Sequence, residues 1–124
     1  DFRSKVIGST QPDDAAPGSI RAELREKWQS LGLTDAPNYQ DNGVHASAGP
    51  LESVKERCLW AGDSIEDDAF VASLQASNVS DVSKLLDDAE VELKDGTTGS
   101  AFDLFEGEDA SSAIEKLRGA KVLV

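Results

Sequence analysis

Cysteine and histidine are scarce in this sequence of 124 residues. There is one cysteine, Cys58, and one histidine, His45. A single cysteine excludes a disulfide within the chain, and one cysteine with one histidine is too few for the ligand set of a zinc site. The sequence therefore predicts no metal ligands among the candidate site residues.

Long apolar runs and basic charge are also lacking. The longest apolar run is far shorter than the roughly 20 residues of a membrane-spanning helix, so no span is expected. Twelve basic side chains stand against 24 acidic ones, a net charge of -12. This excess of negative charge argues against nucleic acid or anionic lipid as a partner. With 39% hydrophobic and 29% charged residues, the composition is typical of a soluble globular protein.

The first residues, Asp1-Phe2-Arg3, contain neither the charged region nor the apolar region of a secretory signal peptide. We therefore expect a mature or truncated product of a longer precursor. The compartment stays open, with a processed organellar protein and a cytoplasmic protein as the alternatives.

The charge is distributed unevenly along the chain. Residues 1–60 carry 7 basic and 9 acidic side chains, a net charge of -2, whereas residues 61–124 carry 5 and 15, a net charge of -10. The length predicts one core, or one small core with a packed extension. The change of composition after Gly62 predicts a first domain at 1–62 and an acidic helical extension at 63–124.

Apolar residues at three- and four-residue steps predict two helices in the first domain. The first helix runs from Ser19 to about Gly32, a glycine placed to end it. The second starts at Gly49-Pro50 and runs through Trp60. The run 43–46 between them predicts a short strand. The apolar stripes consist of Ile20, Leu24, Trp28 and Leu31 in the first helix and of Leu51, Val54, Cys58 and Leu59 in the second.

The acidic extension is predicted to contain three helices and a small hairpin. The helices are expected over about 65–76, around Val82 to Leu86 with Asn78 or Ser80 as the cap, and from Asp109 to Arg118. The hairpin joins strands at 91–93 and 101–105, and residues 121–124 form a last short strand. These elements together predict an α+β fold that is rich in helix.

His45 is the first candidate for chemistry, because it directly precedes the predicted helix start at Gly49-Pro50. A neutral imidazole can accept a phosphoryl group, and the free amides of a helix start favour an anion beside it. Arg21 and Thr10 can donate to phosphate oxygens, and Glu56 can orient the imidazole. By itself, however, a lone histidine in such a place is more often a structural residue.

Four short motifs occur in a fixed order along the first domain. The segment 7–12 reads IGSTQP, and 17–21 reads PGSIR. Asn42, His45 and Ser47 form an Asn-x-x-His-x-Ser motif, and Glu56 follows the histidine by eleven positions. This ordered set resembles the nucleoside diphosphate kinase family, whose corresponding motifs read Gly-x-Thr-x-Pro, Pro-Gly-Thr-Ile-Arg and Asn-x-x-His-x-Ser. The resemblance covers residues 3–60, the C-terminal half of the family's domain.

The resemblance implies a role for each motif residue. His45 would be the phosphorylated nucleophile and Glu56 the residue that orients it. The nucleotide would be bound by Thr10 and Arg21 at the phosphates, Asn42 at the sugar, and Ser47. The reaction implied is transfer of the terminal phosphate from a nucleoside triphosphate to a nucleoside diphosphate, with Mg²⁺ carried by the nucleotide. The fold implied is a partial ferredoxin-like sandwich that assembles into hexamers or tetramers.

The sequence also departs from the family pattern. The positions after Ser47 that are acidic and serine in the family hold Ala48 and Gly49, and a phosphate-binding arginine of the family falls on Ser4, next to Arg3. An insertion separates Arg21 from His45, and the family's Lys-Pro-Asp strand and base-stacking platform have no counterpart. The alternative prediction is a degenerate, kinase-derived subunit that binds other protein chains in a larger assembly without catalytic activity.

Overall fold

The computed structural model describes residues 2–123, which form two compact units. The first unit ends at Ala46 and the second begins at Ser47. The described residues contain six α-helices and a three-stranded antiparallel sheet, so the predicted α+β class is confirmed. The sequence-based boundary after Gly62 was predicted from a change in amino-acid composition. The division after Ala46 follows contacts, and it assigns the helix that ends at Trp60 to the second unit.

The first unit contains one regular helix between irregular segments. A π-helical segment, Phe2–Ile7, and a short 3-10 turn, Pro12–Asp14, precede helix α1, Ile20–Lys27. The buried Ser19 caps α1 by accepting the Ala22 amide at 3.4 Å. Helix α1 is therefore shorter than the predicted helix, because regular helix ends at Lys27.

Turns continue α1 to the glycine that was predicted to end it. Gly32 has a φ of +75°. The Gly32 amide donates to the Gln29 carbonyl at 3.1 Å, and the Leu33 amide donates to the Trp28 carbonyl at 3.0 Å. This pair of bonds is the Schellman arrangement, in which a left-handed residue turns the chain away from a helix.

The strand predicted over 43–46 is wrong. Gly43 has a φ of +79°, which interrupts an extended run, and the residues after it lie in an irregular segment. The Val44 carbonyl is bound by the Arg21 side chain at 2.8 Å and not by a neighbouring strand. The strand-like composition therefore reflects an extended loop attached to a helix.

The second unit begins with helix α2, Pro50–Trp60, as predicted. The helix expected over 65–76 is divided into a 3-10 turn, Ile65–Asp67, and helix α3, Ala69–Ala76. Asp68 causes the division. Its carboxylate accepts the amides of Phe70 and Val71 at 2.9 and 3.0 Å and so defines the start of α3.

Helix α4, Val82–Leu86, has the predicted position but not the predicted cap. Its N-cap position is Asp81, whose φ is +56° and whose side chain makes no capping bond. Asn78 instead ends α3 in a left-handed conformation, and the Val79 amide next to it donates to the Leu74 carbonyl at 3.0 Å. Asparagine tolerates this conformation better than most residues do.

The sheet has the order β2-β1-β3. Strand β1, Glu90–Glu92, pairs antiparallel with β2, Thr98–Ser100, and with β3, Lys121–Val122. The hairpin and the last strand are confirmed, although Val124 lies outside the described residues. The second hairpin arm predicted over 101–105 is wrong. That segment is helix α5, Ala101–Leu104, because Ala101 and Phe105 are both buried at the four-residue spacing of a helix.

The apolar core lies in the second unit. The helices α2 to α6 and strand β1 contribute to it, and the last helix, α6, spans Ala110–Leu117 as the sequence predicts. Within residues 2–123, no helix has both the length and the apolar character of a membrane span. The buried core residues are Leu51, Val54, Val71, Leu74, Val79, Leu85, Leu86, Val91, Ala101, Phe105, Ala113 and Leu117.

Candidate functional site

Arg21 connects three of the predicted motifs within the first unit. It lies on the first turn of α1 and is only 9% exposed. Its Nη1 donates to the Gly8 carbonyl at 3.0 Å, and its Nη2 donates to the Val44 carbonyl at 2.8 Å. Gly8 belongs to the threonine loop, and Val44 directly precedes His45. One side chain therefore fixes two distant segments beside the same helix end.

The positive charge of Arg21 is held at an energetic cost. Burial, and secondarily the nearby positive charge of Arg3, lower the pKa of the Arg21 guanidinium below its usual value. The Nε of Arg21 is buried and has no hydrogen-bond partner in the described structure. A bound anion would stabilise this arrangement, in which Arg3 lies near Arg21 and the buried Nε of Arg21 has no hydrogen-bond partner among the described residues.

Asn42 holds the loop before His45 and approaches the threonine loop. Its side-chain amide donates to the Tyr39 carbonyl at 3.2 Å and makes a longer contact of 3.5 Å with the Thr10 carbonyl. Thr10 is half-buried. The structure thus brings together Thr10, Arg21, Asn42 and the segment that leads to His45, although these residues lie up to 35 positions apart in the sequence.

His45 lies at the end of the first unit and is exposed. It carries the only imidazole of the chain. The residue before it is fixed by Arg21, whereas the ring itself is accessible to solvent. A nucleophile that must meet a diffusing phosphate donor needs this kind of access, together with a defined backbone.

Ser47 and Glu56 belong to the second unit, where they contact each other. The Ser47 hydroxyl donates to the Glu56 carboxylate, and Glu56 is half-buried on α2. The phosphate contact predicted for Ser47 and the orienting role predicted for Glu56 stay predictions. Their contact shows that the two motif residues form one polar group at the start of α2.

The start of α2 carries its own negative charge. The Glu52 carboxylate accepts the amide of Ala48, one residue before the N-cap Gly49. It therefore adds a negative charge to this end of the helix. The helix start therefore contributes less to anion binding than the sequence suggested.

An arginine that the sequence reasoning did not single out also shapes the first unit. Arg25 donates to both oxygens of Asp13, at 2.7 and 3.2 Å, and to the Pro37 carbonyl at 3.1 Å. Its spacing of four residues from Arg21, on the same helix face, is the signal that could have revealed it. Gly8 has a φ of +96°, and a Cβ there would lie 2.5 Å from the Ser19 hydroxyl.

Neither metal ligands nor known relatives assign a further role to the candidate site residues described above. Among residues 2–123, no group of three or more histidine, cysteine, aspartate or glutamate side chains is placed to hold a metal ion. Mg²⁺ carried by the nucleotide stays a prediction from the resemblance. Comparisons with protein-family models, with curated proteins and with solved structures found no match for the chain.

Proposed function

We propose that the chain carries the phosphohistidine half of a nucleoside diphosphate kinase-like phosphotransferase, with His45 as the phosphoryl carrier. The observation that carries the proposal is the pair of hydrogen bonds from the buried Arg21 to Gly8 and Val44. These bonds gather the motifs that the family resemblance predicts to work together. The proposal includes a ferredoxin-like sandwich for the complete domain and its assembly into oligomers.

The proposed reaction has two steps at the same imidazole. In the first, a ring nitrogen of His45 attacks the terminal phosphorus of a nucleoside triphosphate. An N–P bond forms, the P–O bond to the β-phosphate breaks, and a nucleoside diphosphate leaves. In the second, a different nucleoside diphosphate attacks the phosphohistidine through its terminal oxygen, and the imidazole is released. The two steps return the histidine to its original state.

The arginines of the first unit would stabilise the transferring phosphoryl group. Its charge is spread over three oxygens in the transition state, so catalysis depends mainly on positioned positive groups. Arg21 retains the buried Nε as a donor, and Arg3 lies close enough to influence its pKa. Thr10 would add a hydroxyl donor. Mg²⁺ bound to the nucleotide would neutralise part of the phosphate charge.

The remaining contacts follow from the resemblance. Asn42 would contact the sugar, Ser47 the nucleotide, and Glu56 one imidazole nitrogen, so that the other nitrogen presents its lone pair to phosphorus. The lysine and the base platform of the family would come from another segment or another protein chain. Nucleoside di- and triphosphates are the proposed small-molecule partners.

Two phosphate donors test the nucleophile and the nucleotide site separately. Phosphoramidate phosphorylates a reactive histidine without any nucleotide recognition. Phosphorylation by labelled ATP requires both a reactive histidine and a nucleotide site. We expect an acid-labile, alkali-stable phosphate on His45 from phosphoramidate, and from ATP if the nucleotide site is complete. Peptide mapping is unambiguous because the chain has one histidine. A folded protein that accepts phosphate from neither donor contradicts the proposal.

The control is His45→Ala, compared with Gln40→Ala. Both positions are exposed, so both variants should keep the circular dichroism spectrum of the parent chain. Only the histidine variant should lose the label. Labelling that survives in His45→Ala would place the phosphate on another residue and contradict the assignment.

A second candidate function is supported by exposed apolar side chains at the end of α2. Leu59 is 73% exposed and Trp60 is 65% exposed, an unusual state for adjacent large apolar residues. A non-catalytic interaction subunit would use such a surface to bind another protein chain. It would take phosphate from neither donor, and the fluorescence of its indoles would shift to shorter wavelength on assembly.

A further inference from the structure

Two glycines of the chain follow a side chain that can cyclise with the glycine amide. They occur in Asn42-Gly43 and Asp95-Gly96. In such pairs the backbone nitrogen can attack the side-chain carbonyl carbon of the preceding residue and form a five-membered imide. Glycine permits this approach because it lacks a Cβ and adopts unusual backbone angles easily. Both pairs can therefore close the ring, although an ionised aspartate is intrinsically the poorer electrophile, and the fold distinguishes them further.

The fold protects Asp95-Gly96. The Gly96 amide donates to the Leu93 carbonyl at 2.9 Å, so the attacking nitrogen is held in the hairpin turn. The Asp95 carboxylate accepts the Thr97 amide at 2.9 Å. This bond lowers the pKa of Asp95, which keeps the carboxylate ionised and a poor electrophile. Both reacting groups of this pair are thus occupied in the folded chain.

In Asn42-Gly43 the side-chain amide is bonded to carbonyl oxygens, but the fold leaves the attacking nitrogen of Gly43 open. Gly43 is exposed in an irregular segment, and its amide has no acceptor in the part of the chain that the structure describes. Its φ of +79° lies in the region that glycine tolerates. The side chain of Asn42 is a neutral amide with ammonia as its leaving group. Nothing comparable to the hairpin bond restrains the attacking nitrogen.

We propose that Asn42 is a spontaneous deamidation site, at which the folded chain converts the asparagine to aspartate and isoaspartate. The Gly43 nitrogen forms a bond to Cγ of Asn42 and loses its proton, and the bond from Cγ to Nδ2 breaks with release of ammonia. Water then opens the imide at either carbonyl. One opening gives aspartate, and the other inserts the side-chain methylene into the backbone.

The modification changes the loop that leads to His45. The Asn42 amide now donates to the Tyr39 carbonyl and contacts the Thr10 carbonyl. A carboxylate cannot donate, so three oxygens that accept hydrogen bonds would face one another. The isoaspartate product also lengthens the backbone two residues before Val44, whose carbonyl is fixed by Arg21. Both products therefore loosen the first unit, whatever chemistry His45 performs.

The test compares folded and denatured protein during incubation at mildly alkaline pH. Peptide mass spectrometry measures deamidation at Asn38, Asn42 and Asn78, and an isoaspartate methyltransferase counts the isomerised product. We expect Asn42 to convert in the folded chain within about tenfold of its rate in the denatured chain, since an irregular loop opens at little free-energy cost. Isoaspartate at Asp95 should accumulate only in the denatured chain.

Two outcomes overturn the proposal. One is an Asn42 that stays intact in folded protein while the denatured sample converts. The other is conversion in folded protein at Asn38 or Asn78 as fast as at Asn42. Asn42→Gln supplies the matched variant, because it keeps the amide donor but closes a less favourable six-membered ring. It should block conversion at position 42. Mass spectrometry measures conversion in the parent chain whether or not His45 accepts phosphate, so failure of this proposal and failure of the proposed function are distinguishable.

Discussion

Different interactions stabilise each of the two units of this protein. In the first unit, the buried side chains include Ser19 and Arg21, and arginine hydrogen bonds to backbone carbonyls hold the loops on α1. In the second unit, twelve buried apolar residues form a continuous core. Ten of them lie in five helices and one strand, and Val79 and Phe105 lie in the segments between these elements. The candidate chemistry lies mainly in the first unit and the apolar stability in the second. Most of the family-like motif residues therefore lie in the unit that depends on polar contacts, whereas Ser47 and Glu56 lie in the second unit.

The largest effect is expected from a cavity in the core of the second unit. Leu74 is fully buried. Leu74→Ala should reduce the free energy of unfolding by about 2–5 kcal/mol, because a cavity adds to the loss of apolar burial. Denaturant unfolding measures the loss. Leu59→Ala removes the same atoms from a side chain that is 73% exposed, and it should change stability by less than about 0.5 kcal/mol. Equal effects would contradict the assigned core.

A smaller and more local effect is expected from Arg21→Lys. Lysine keeps the charge but cannot reach the Gly8 and Val44 carbonyls with two separate nitrogens. We expect a loss of about 1–3 kcal/mol from carbonyls that become unsatisfied. Amide hydrogen exchange should accelerate in residues 8–46 and stay unchanged in the core of the second unit. Uniform acceleration throughout the chain would show that the units do not depend on separate contacts.

The role of Gly8 can be separated into backbone strain and steric contact. Gly8 and Gly18 both have positive φ, +96° and +82°, but only at Gly8 would a Cβ meet another atom, the Ser19 hydroxyl at 2.5 Å. Both alanine variants should carry the strain of a left-handed alanine, about 1–2 kcal/mol. Gly8→Ala should lose additional stability because Ser19 caps α1. Thermal unfolding of the pair measures this difference, and equal losses would argue against the contact.

The smallest effect concerns acid sensitivity in the second unit. Hydrogen bonds from Lys116, and then from Ser112, lower the pKa of Glu108. The stabilisation from this carboxylate is therefore present above the ordinary pKa of glutamate and is lost as the pH falls through the lowered pKa. Glu108→Gln should flatten the acid side of the curve of melting temperature against pH. Glu115→Gln, on the exposed side of α6, which also carries Lys116 and Ser112, should leave the curve unchanged.

Much of the first unit's arrangement was predictable from its motifs. The order of the threonine loop, the arginine, the asparagine and the histidine indicated that these segments meet. In the structure the Asn42 amide contacts the Thr10 carbonyl, and Arg21 binds the Gly8 and Val44 carbonyls. The way they meet was not predictable. Arg21 binds backbone carbonyls and Asn42 contacts a carbonyl, and such partners carry no side-chain signature in the sequence.

The errors in secondary structure have a common cause. Residues 101–105 alternate like a strand, yet they form a helix because Ala101 and Phe105 pack into the same core. Residues 43–46 resemble a strand in composition, yet no strand among residues 2–123 pairs with them, and Arg21 binds the Val44 carbonyl instead. Short segments of this kind take the structure that their neighbours stabilise.

The sequence by itself determined the long elements, since periodic apolar residues and local caps act over a few positions. It determined helix α2, helix α6, the hairpin turn and the α+β class. Only the tertiary structure decided that Arg21 joins Gly8 to Val44, that Glu52 closes the start of α2, and that Gly96 is protected while Gly43 is open. Each of these outcomes depends on hydrogen bonds to backbone groups, which every residue carries and which only the folded chain assigns to particular partners.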